Sequence, residues 1–202
     1  YPIITNDSEF ILYGKSNINI WKMRSKIAIV NNEQNQRIAQ NITVNDLLTS
    51  ALYGNIGWPK NQQPSSKDNT KSELILSKFS LLRKSDCLYS DLSDGHKRII
   101  LIARALINSP KVIILDEPTI NLDPKYYYLI LDIISSLANK GLSLVIITNK
   151  IESIINESKR IILIKKGKVI EDGRTEDKLT SKNLSILFET NLKVLNIQGN
   201  WK

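Results

Sequence analysis

Short apolar runs alternate with helical patterns along the chain, and this alternation predicts an α/β fold with a parallel core sheet. Residues 111–117 (KVIILDE) and 142–148 (LSLVIIT) are continuous apolar runs, which are typical of buried parallel strands. The shorter runs at 9–14 (EFILYG) and 26–30 (KIAIV) predict two further strands.

Capping residues mark the predicted helices between these strands. Thr43 and Asp46 resemble a capping box, and Gly54 is placed to end the short helix that they begin. Asp123 followed by Pro124 predicts the start of a longer helix, because the aspartate can cap it and proline is favoured at its first position.

The remaining segments complete one domain. A second amphipathic helix is predicted at 71–82, whereas the polar stretch 58–71 carries two prolines and predicts an exposed loop. A hairpin centred on Gly167 and two short helices close the chain. With 202 residues, of which 42% are hydrophobic, the chain suffices for a single domain over 1–202.

Composition narrows the class of protein. The formal net charge of +8 is scattered along the chain, so we expect an ordinary solvated surface rather than a nucleic-acid interface. The single cysteine excludes an internal disulfide framework and favours a reducing, cytoplasmic setting. No apolar run approaches the roughly 20 residues that a membrane-spanning helix needs.

Two chemical features lie close together in the sequence. Asp116 and Glu117 follow an apolar strand and are expected at the carboxyl edge of the sheet, where one can hold Mg²⁺ and the other can polarise a water. Taken alone, this pair could equally be the acidic end of a buried strand. Upstream, Ser93 and Gly95 begin a predicted helix whose free N–H groups attract an anion.

The ordered series LSDGHKRIILIARAL, KVIILDEPT, NLDP and VIITN resembles the nucleotide-binding domain of ABC transporter ATPases. In that family a signature motif, a Walker B strand with its glutamate, a D-loop and a switch histidine occur in this order. The resemblance implies a P-loop NTPase-like α/β domain with an inserted helical subdomain, here about residues 41–106. It also implies that ATP and Mg²⁺ are the cofactors.

The resemblance assigns roles residue by residue. Asp116 resembles the Mg²⁺-side acid of Walker B, and Glu117 resembles the general base. Ser93 and Gly95 resemble the signature contacts to the γ-phosphate of ATP held by an opposing subunit. Asp123 resembles the D-loop aspartate at that dimer seam. The strand at 26–30 leads to the Q-loop region, where either Asn32 or Gln34 stands in the place of the glutamine.

Several positions depart from the family pattern. Asn149 occupies the switch-histidine position and cannot carry a charge, while Asp94 and His96 replace a glycine and a glutamine of the signature. His96 is the single histidine of the chain, and its position indicates a helix start at an interface rather than proton transfer. An LSDG signature also occurs in some iron-complex importers of the family.

The phosphate-binding Walker A loop is missing from these residues. Gly14-Lys15-Ser16 matches only its last three letters, because Glu9 stands where the first glycine is required, and we interpret it as a turn after a strand. We therefore expect a chain truncated after Walker A, which by itself would be inactive.

The predicted function is the ATP-binding and ATP-hydrolysing subunit of an ABC transporter. Its expected partners are a second nucleotide-binding domain and integral membrane permease subunits, at the inner face of the membrane. The resemblance favours an importer of metal oxyanions or iron complexes. The alternatives are a catalytically degenerate subunit of a heterodimer and a soluble ABC ATPase that acts on ribosomes or nucleic acid.

Overall fold

A three-stranded parallel sheet forms the centre of the molecule. The computed structural model describes residues 26–39, 41–59, 61–197 and 200–201. The sheet has the order β1 (Ile27–Val30), β2 (Val112–Asp116) and β3 (Ser143–Ile147), and all of its pairings are parallel. The carboxyl ends of the strands therefore meet at one edge.

The predicted α/β class and three of the four predicted strands are confirmed. The structure places strands within the runs at 26–30, 111–117 and 142–148. The strand predicted at 9–14 and the turn at Gly14-Lys15-Ser16 lie outside the described residues.

The two faces of the sheet differ in burial. Side chains alternate across a strand, so Ile113 and Leu115 point into the main core and are fully buried. On the other face Ile29, Val145 and Ile147 are 48%, 48% and 50% exposed in the described part of the chain. The expectation of a buried strand at 142–148 is thus wrong for Val145 and Ile147, because the helices among the described residues pack on the opposite face.

Four helices separate β1 from β2, and one separates β2 from β3. They are α1 (Glu33–Arg37), α2 (Val44–Ala51), α3 (Ser66–Lys78), α4 (Asp94–Leu106) and α5 (Pro124–Asn139). Helix α4 packs against β1 and against α2, α3 and α5, and its apolar face shares one core with the sheet. None of the helices within the described residues is long and apolar enough to cross a membrane.

The predicted caps of α2 and α5 are present. The N–H of Asp46 donates to Thr43 Oγ1 at 3.1 Å, and Gly54, with φ of +77°, lies in the turn after the helix. The N–H of Tyr126 donates to Asp123 Oδ1 at 3.1 Å, with Pro124 as the first helical residue.

Helix α3 corrects the loop predicted at 58–71. It begins at Ser66, so residues 66–71 are helical. A full capping box explains the early start: Ser65 Oγ accepts from the N–H of Asp68 at 3.3 Å, and Asp68 Oδ2 accepts from the N–H of Ser65 at 3.0 Å. The Tyr53 hydroxyl also donates to Asp68 Oδ2 at 3.1 Å, which ties α3 to the end of α2.

A hairpin unit follows the sheet and has a small core of its own. It comprises β4 (Arg160–Lys165), β5 (Lys168–Arg174), α6 (Thr175–Lys178), α7 (Ser181–Phe188), β6 (Asn196–Ile197) and β7 (Asn200–Trp201). Leu163, Leu179 and Leu184 are buried at its centre. Lys166 and Gly167, at φ of +49° and +75°, form the turn, so the hairpin and the two short helices predicted after it are confirmed.

We expect Ser65→Ala to lower the free energy of unfolding by about 1 kcal/mol, because the α3 cap is lost. Urea denaturation of the full-length protein measures this change, with exposed Ser66→Ala as the matched control. Ser65 also holds the pKa of Asp68 below its ordinary value. The difference in the free energy of unfolding between Ser65→Ala and wild type should therefore shrink as the pH falls through the lowered pKa of Asp68. Equal effects of the two substitutions would contradict the capping account.

Candidate functional site

The acidic pair lies at the carboxyl edge of the parallel sheet, as predicted. Asp116 is the last residue of β2, which is the central strand, and Glu117 follows it directly. The N–H of Glu117 donates to the carbonyl of Ile147 at 2.9 Å, which continues the pairing of β2 and β3 for one further residue. The pairing at the edge of the sheet thus fixes the backbone positions of both acidic residues.

Glu117 has a left-handed backbone conformation, with φ of +46°. For a residue other than glycine this conformation costs about 1–3 kcal/mol, and it persists only where its surroundings hold it. Here the N–H of Glu117 is bonded to β3, and its carbonyl accepts from the N–H of Ile120 at 3.3 Å. Because such strain is concentrated at functional sites, it supports a functional role for Glu117.

The loop after β3 holds the Glu117 carboxylate. Oε1 accepts from the main-chain N–H of Asn149 at 3.0 Å, and Oε2 accepts from the Thr148 hydroxyl at 3.4 Å. The structure therefore brings Glu117 and Asn149 together, while the side chain of Asn149 is exposed. Thr148 was missed by the sequence analysis, although its place at the end of an apolar strand was a usable signal.

Ser93 caps α4 and exposes the first turn of that helix. Its Oγ accepts from the N–H of His96 at 3.4 Å. Ser93 and Asp94 are exposed, whereas Gly95 is buried. The helix is 13 residues long and its exposed start at Ser93 and Asp94 lies at the positive end of its dipole, where an anion could approach.

His96 and Tyr126 form an aromatic contact across this turn. Their ring centroids are 5.2 Å apart at 64°, and the Tyr126 hydroxyl lies 3.1 Å from either ring nitrogen of His96. Ser93 Oγ lies 2.8 Å from His96 Nδ1. Burial, together with the positive charges of Lys84 and Lys125, lowers the pKa of His96. Protonation of the imidazole is therefore disfavoured.

Asp123 lies at the start of the same helix that carries Tyr126. Its carboxylate caps α5 and is exposed. The structure thus brings the predicted D-loop acid to the helix start that touches the Ser93 turn. Its contact with a second subunit remains a prediction.

The Q-loop candidates have different partners. Gln34 Nε2 donates to the main-chain carbonyl of Ile29 at 2.8 Å, so it closes a local turn. Asn32 Oδ1 instead accepts from Arg98 Nη2 on α4. Of the two residues, Asn32 is therefore the one connected to the helix that begins at Ser93.

Arg98 is a buried charge that the sequence analysis missed. It is 4% exposed, and burial lowers its pKa, while the nearby charges of Asp94 and Asp116 favour its charged form. Its Nη1 has no hydrogen-bond partner among the described residues. The helical spacing in the sequence could have predicted this burial. Arg98 lies three positions after Gly95 and four before Ile102, on the apolar face of α4.

The described residues contain no cluster of three or more His, Cys, Asp or Glu side chains that could form a metal centre by itself. A site of this kind, with strand-end carboxylates and an exposed helix N-terminus on an open α/β sheet, is typical of proteins that bind nucleotide phosphates. The fold and the site therefore define a nucleotide-binding α/β domain.

Comparison with known families makes this class more specific. Residues 3–120 match the sequence profile of the family described as ABC transporter. This match covers more than half of the 202 residues, so the chain belongs to the ABC transporter family. The family predicted from the sequence is confirmed.

One curated relative matches nearly the whole chain. The uncharacterized ABC transporter ATP-binding protein YlmA of Bacillus subtilis (strain 168) is 32% identical over 185 residues, which are 91% of this chain and 69% of YlmA. The chain spans between 31% and 65% of the length of seven other curated relatives.

Two solved structures share the fold. An inward-facing ABC transporter assigned to the metal-chelate type has a TM-score of 0.73 and 24% identity, covering 88% of this chain and 70% of its own. A dimeric post-hydrolysis state of the ATP-binding cassette MJ0796, bound to ADP and Pi, has a TM-score of 0.64 and 23% identity, covering 81% and 71%. Both confirm the ABC ATPase fold of this chain.

The hydrogen bond between Arg98 and Asn32 predicts which of two substitutions lowers stability more. We expect Asn32→Ala to lower the free energy of unfolding by about 1.5–3 kcal/mol, because a buried guanidinium loses its hydrogen bond. Arg98→Met should cost less, since it removes the buried charge itself. Urea denaturation of the single and double variants tests this order. If Asn32→Ala cost as much in the Arg98→Met background as in the wild-type background, the two residues would not be coupled.

Proposed function

We propose that the protein carrying this chain is the ATP-binding and ATP-hydrolysing subunit of an ABC transporter. In this proposal two subunits face each other with ATP between them, and permease subunits in the membrane are driven by the closing and opening of the pair. The observation that supports it most directly is the position of the Glu117 carboxylate. A hydrogen bond holds it next to Asp116 at the carboxyl edge of the sheet. Family membership and the fold support it.

Glu117 is proposed as the general base. Hydrogen bonds from the Asn149 N–H and the Thr148 hydroxyl fix the direction of its carboxylate. A carboxylate fixed in this way can accept a proton from a water aimed at the terminal phosphate, without reorganising during the reaction. The left-handed backbone of Glu117 is explained if it directs the carboxylate toward this water.

Asp116 is proposed to hold Mg²⁺. Proteins usually bind this ion through one or two carboxylates, with substrate phosphates and waters completing the octahedron. One partly exposed carboxylate at the end of β2 fits that donor set, and it does not need a cluster of protein ligands. When bound, the ion would neutralise charge on the phosphates.

The turn at Ser93 and Gly95 is proposed to receive the γ-phosphate of ATP held by the facing subunit. The exposed N-terminus of α4 suits an anion, and Ser93 Oγ can donate to a phosphate oxygen. Asp94 is exposed in the same turn, where its charge favours its own helix but opposes a phosphate. Asp123 would lie at the same seam.

An importer acting on a metal chelate or metal oxyanion is the finer form of this proposal. The solved structure of the metal-chelate type supports it, as does the LSDG turn. The subunit would then lie at the inner face of the membrane, bound to its permease partners.

We expect Glu117→Gln in the full-length protein to lower kcat for ATP hydrolysis by about 10²–10⁴-fold, because an amide cannot accept the proton. ATP binding should persist, since the change is nearly isosteric. Steady-state phosphate release and equilibrium binding of ATP measure the two effects. Hydrolysis at the wild-type rate would exclude Glu117 as the base, and inactive wild type with intact ATP binding would favour the degenerate-subunit alternative.

Asn149→Ala should lower kcat by at most about tenfold, the value of one hydrogen bond. The N–H that holds Glu117 belongs to the main chain and is retained in alanine, so only the contact of the amide side chain is lost. The same phosphate-release assay measures it beside Glu117→Gln. A loss equal to that of Glu117→Gln would mean that the Asn149 side chain shares the chemical step.

A further inference from the structure

We propose that Tyr126 is a positioning residue for the phosphate-binding turn, acting on Ser93 through Gly95 and His96. The inference rests on the proposed function, in which this turn receives the terminal phosphate of ATP from a facing subunit. It adds a residue of α5 that sequence analysis assigned to no role, and it makes the geometry of the turn depend on that helix.

The Tyr126 ring lies directly on the backbone of Gly95. A Cβ built on Gly95 would be only 2.1 to 2.4 Å from the Cγ, Cδ1 and Cδ2 atoms of that ring. These atoms belong to the rigid part of the side chain, so a methyl group at position 95 would displace Tyr126. Glycine is therefore required here by the close approach of the ring rather than by backbone conformation.

The Tyr126 hydroxyl holds the side chain that contacts Ser93. Ser93 Oγ lies 2.8 Å from His96 Nδ1, and the Tyr126 hydroxyl lies 3.1 Å from the ring nitrogens. A neutral imidazole offers one donor and one acceptor, so each hydroxyl can take one nitrogen. Tyr126 thereby restricts the ring of His96, and His96 restricts the hydroxyl that would meet the phosphate.

The charges around His96 support a neutral ring. Lys84 and Lys125 come from two other segments and disfavour the imidazolium, while Asp94 is the acid on its own helix. The ring also packs edge-on against Tyr126, which keeps water from one side. A ring in which protonation is disfavoured is suited to holding Ser93 in one orientation.

Tyr126 also connects the two parts of this subunit that would contribute to two different ATP sites. Helix α5 begins at Pro124, seven residues after Glu117, and Asp123 caps it. A displacement of the segment after Glu117 would therefore move the ring that lies on Gly95. The carboxylate edge of one active site and the phosphate turn of the other would be coupled within one subunit.

Neighbouring tyrosines provide a matched control. Tyr127 contacts Ser153 at 3.2 Å, whereas Tyr128 is 65% exposed. Tyr128→Ala removes a ring from the same helix without touching the turn. Tyr126→Ala removes the contact with Gly95 and His96, and Tyr126→Phe removes only the hydroxyl.

The first experiment measures kcat and KM for ATP in the full-length protein. We expect Tyr126→Ala to raise KM about 5–30-fold with a smaller change in kcat, because the turn loses an aromatic contact and a hydrogen bond. Tyr126→Phe should give a KM between those of wild type and Tyr126→Ala, because it loses only the hydrogen bond to His96, and Tyr128→Ala should match wild type. Equal KM values for Tyr126→Ala and Tyr128→Ala would overturn the proposal, whereas wild-type hydrolysis by Glu117→Gln would overturn the proposed function instead.

The second experiment tests the contact between Tyr126 and His96 without an activity assay. His96 is the single histidine in these 202 residues, so its imidazole resonance can be assigned by its loss in His96→Gln and titrated by NMR. We expect Tyr126→Ala to raise the pKa of His96 toward its ordinary value, because the ring is uncovered. An unchanged titration in Tyr126→Ala would overturn the proposed contact.

A double variant tests the contact with Gly95. Gly95→Ala alone should raise KM for ATP, because the methyl group displaces the ring. Adding Tyr126→Ala removes the clash, so the double variant should be no worse than Tyr126→Ala alone. Independent, multiplicative losses would show that Gly95 and Tyr126 do not act through each other and would overturn the proposal.

Discussion

The parallel pairing of β2 with β3 is the constraint on which the site depends. The register continues past Asp116, because Glu117 donates its N–H to Ile147, and it places Asn149 where its own N–H meets the Glu117 carboxylate. A shift of one residue between the two strands would separate that carboxylate from its donor. The hydrophobic alternation that buries Ile113 and Leu115 therefore also aligns the acidic edge, so stability and proposed chemistry share one register.

Helix α4 links this edge to the rest of the molecule. Its first turn carries Ser93, its buried face carries Arg98, and Arg98 reaches Asn32 at the end of the neighbouring strand. The guanidinium is retained although burial disfavours its charge. The contact with Asn32 would set where the phosphate turn lies relative to β1.

Local signals in the sequence were sufficient for most elements, and tertiary contacts account for what they missed. The strand runs, the caps at Thr43 and Asp123 and the turn at Gly167 could be predicted, because each depends on adjacent residues. The start of α3 was missed because Ser65 and Asp68 lie in a polar stretch, although the capping box was visible there. The choice between Asn32 and Gln34 and the contact of Tyr126 with Gly95 depend on packing between distant segments, which no local pattern encodes.

The open face of the sheet has a consequence for handling the protein. Ile29, Val145 and Ile147 together present a flat aliphatic strip to water within the described residues. Such strips drive self-association in solution, since burying them against any apolar partner releases ordered solvent. A fragment confined to these residues would therefore bind hydrophobic dyes and precipitate at concentrations that a fully covered domain tolerates, however well its individual helices were formed.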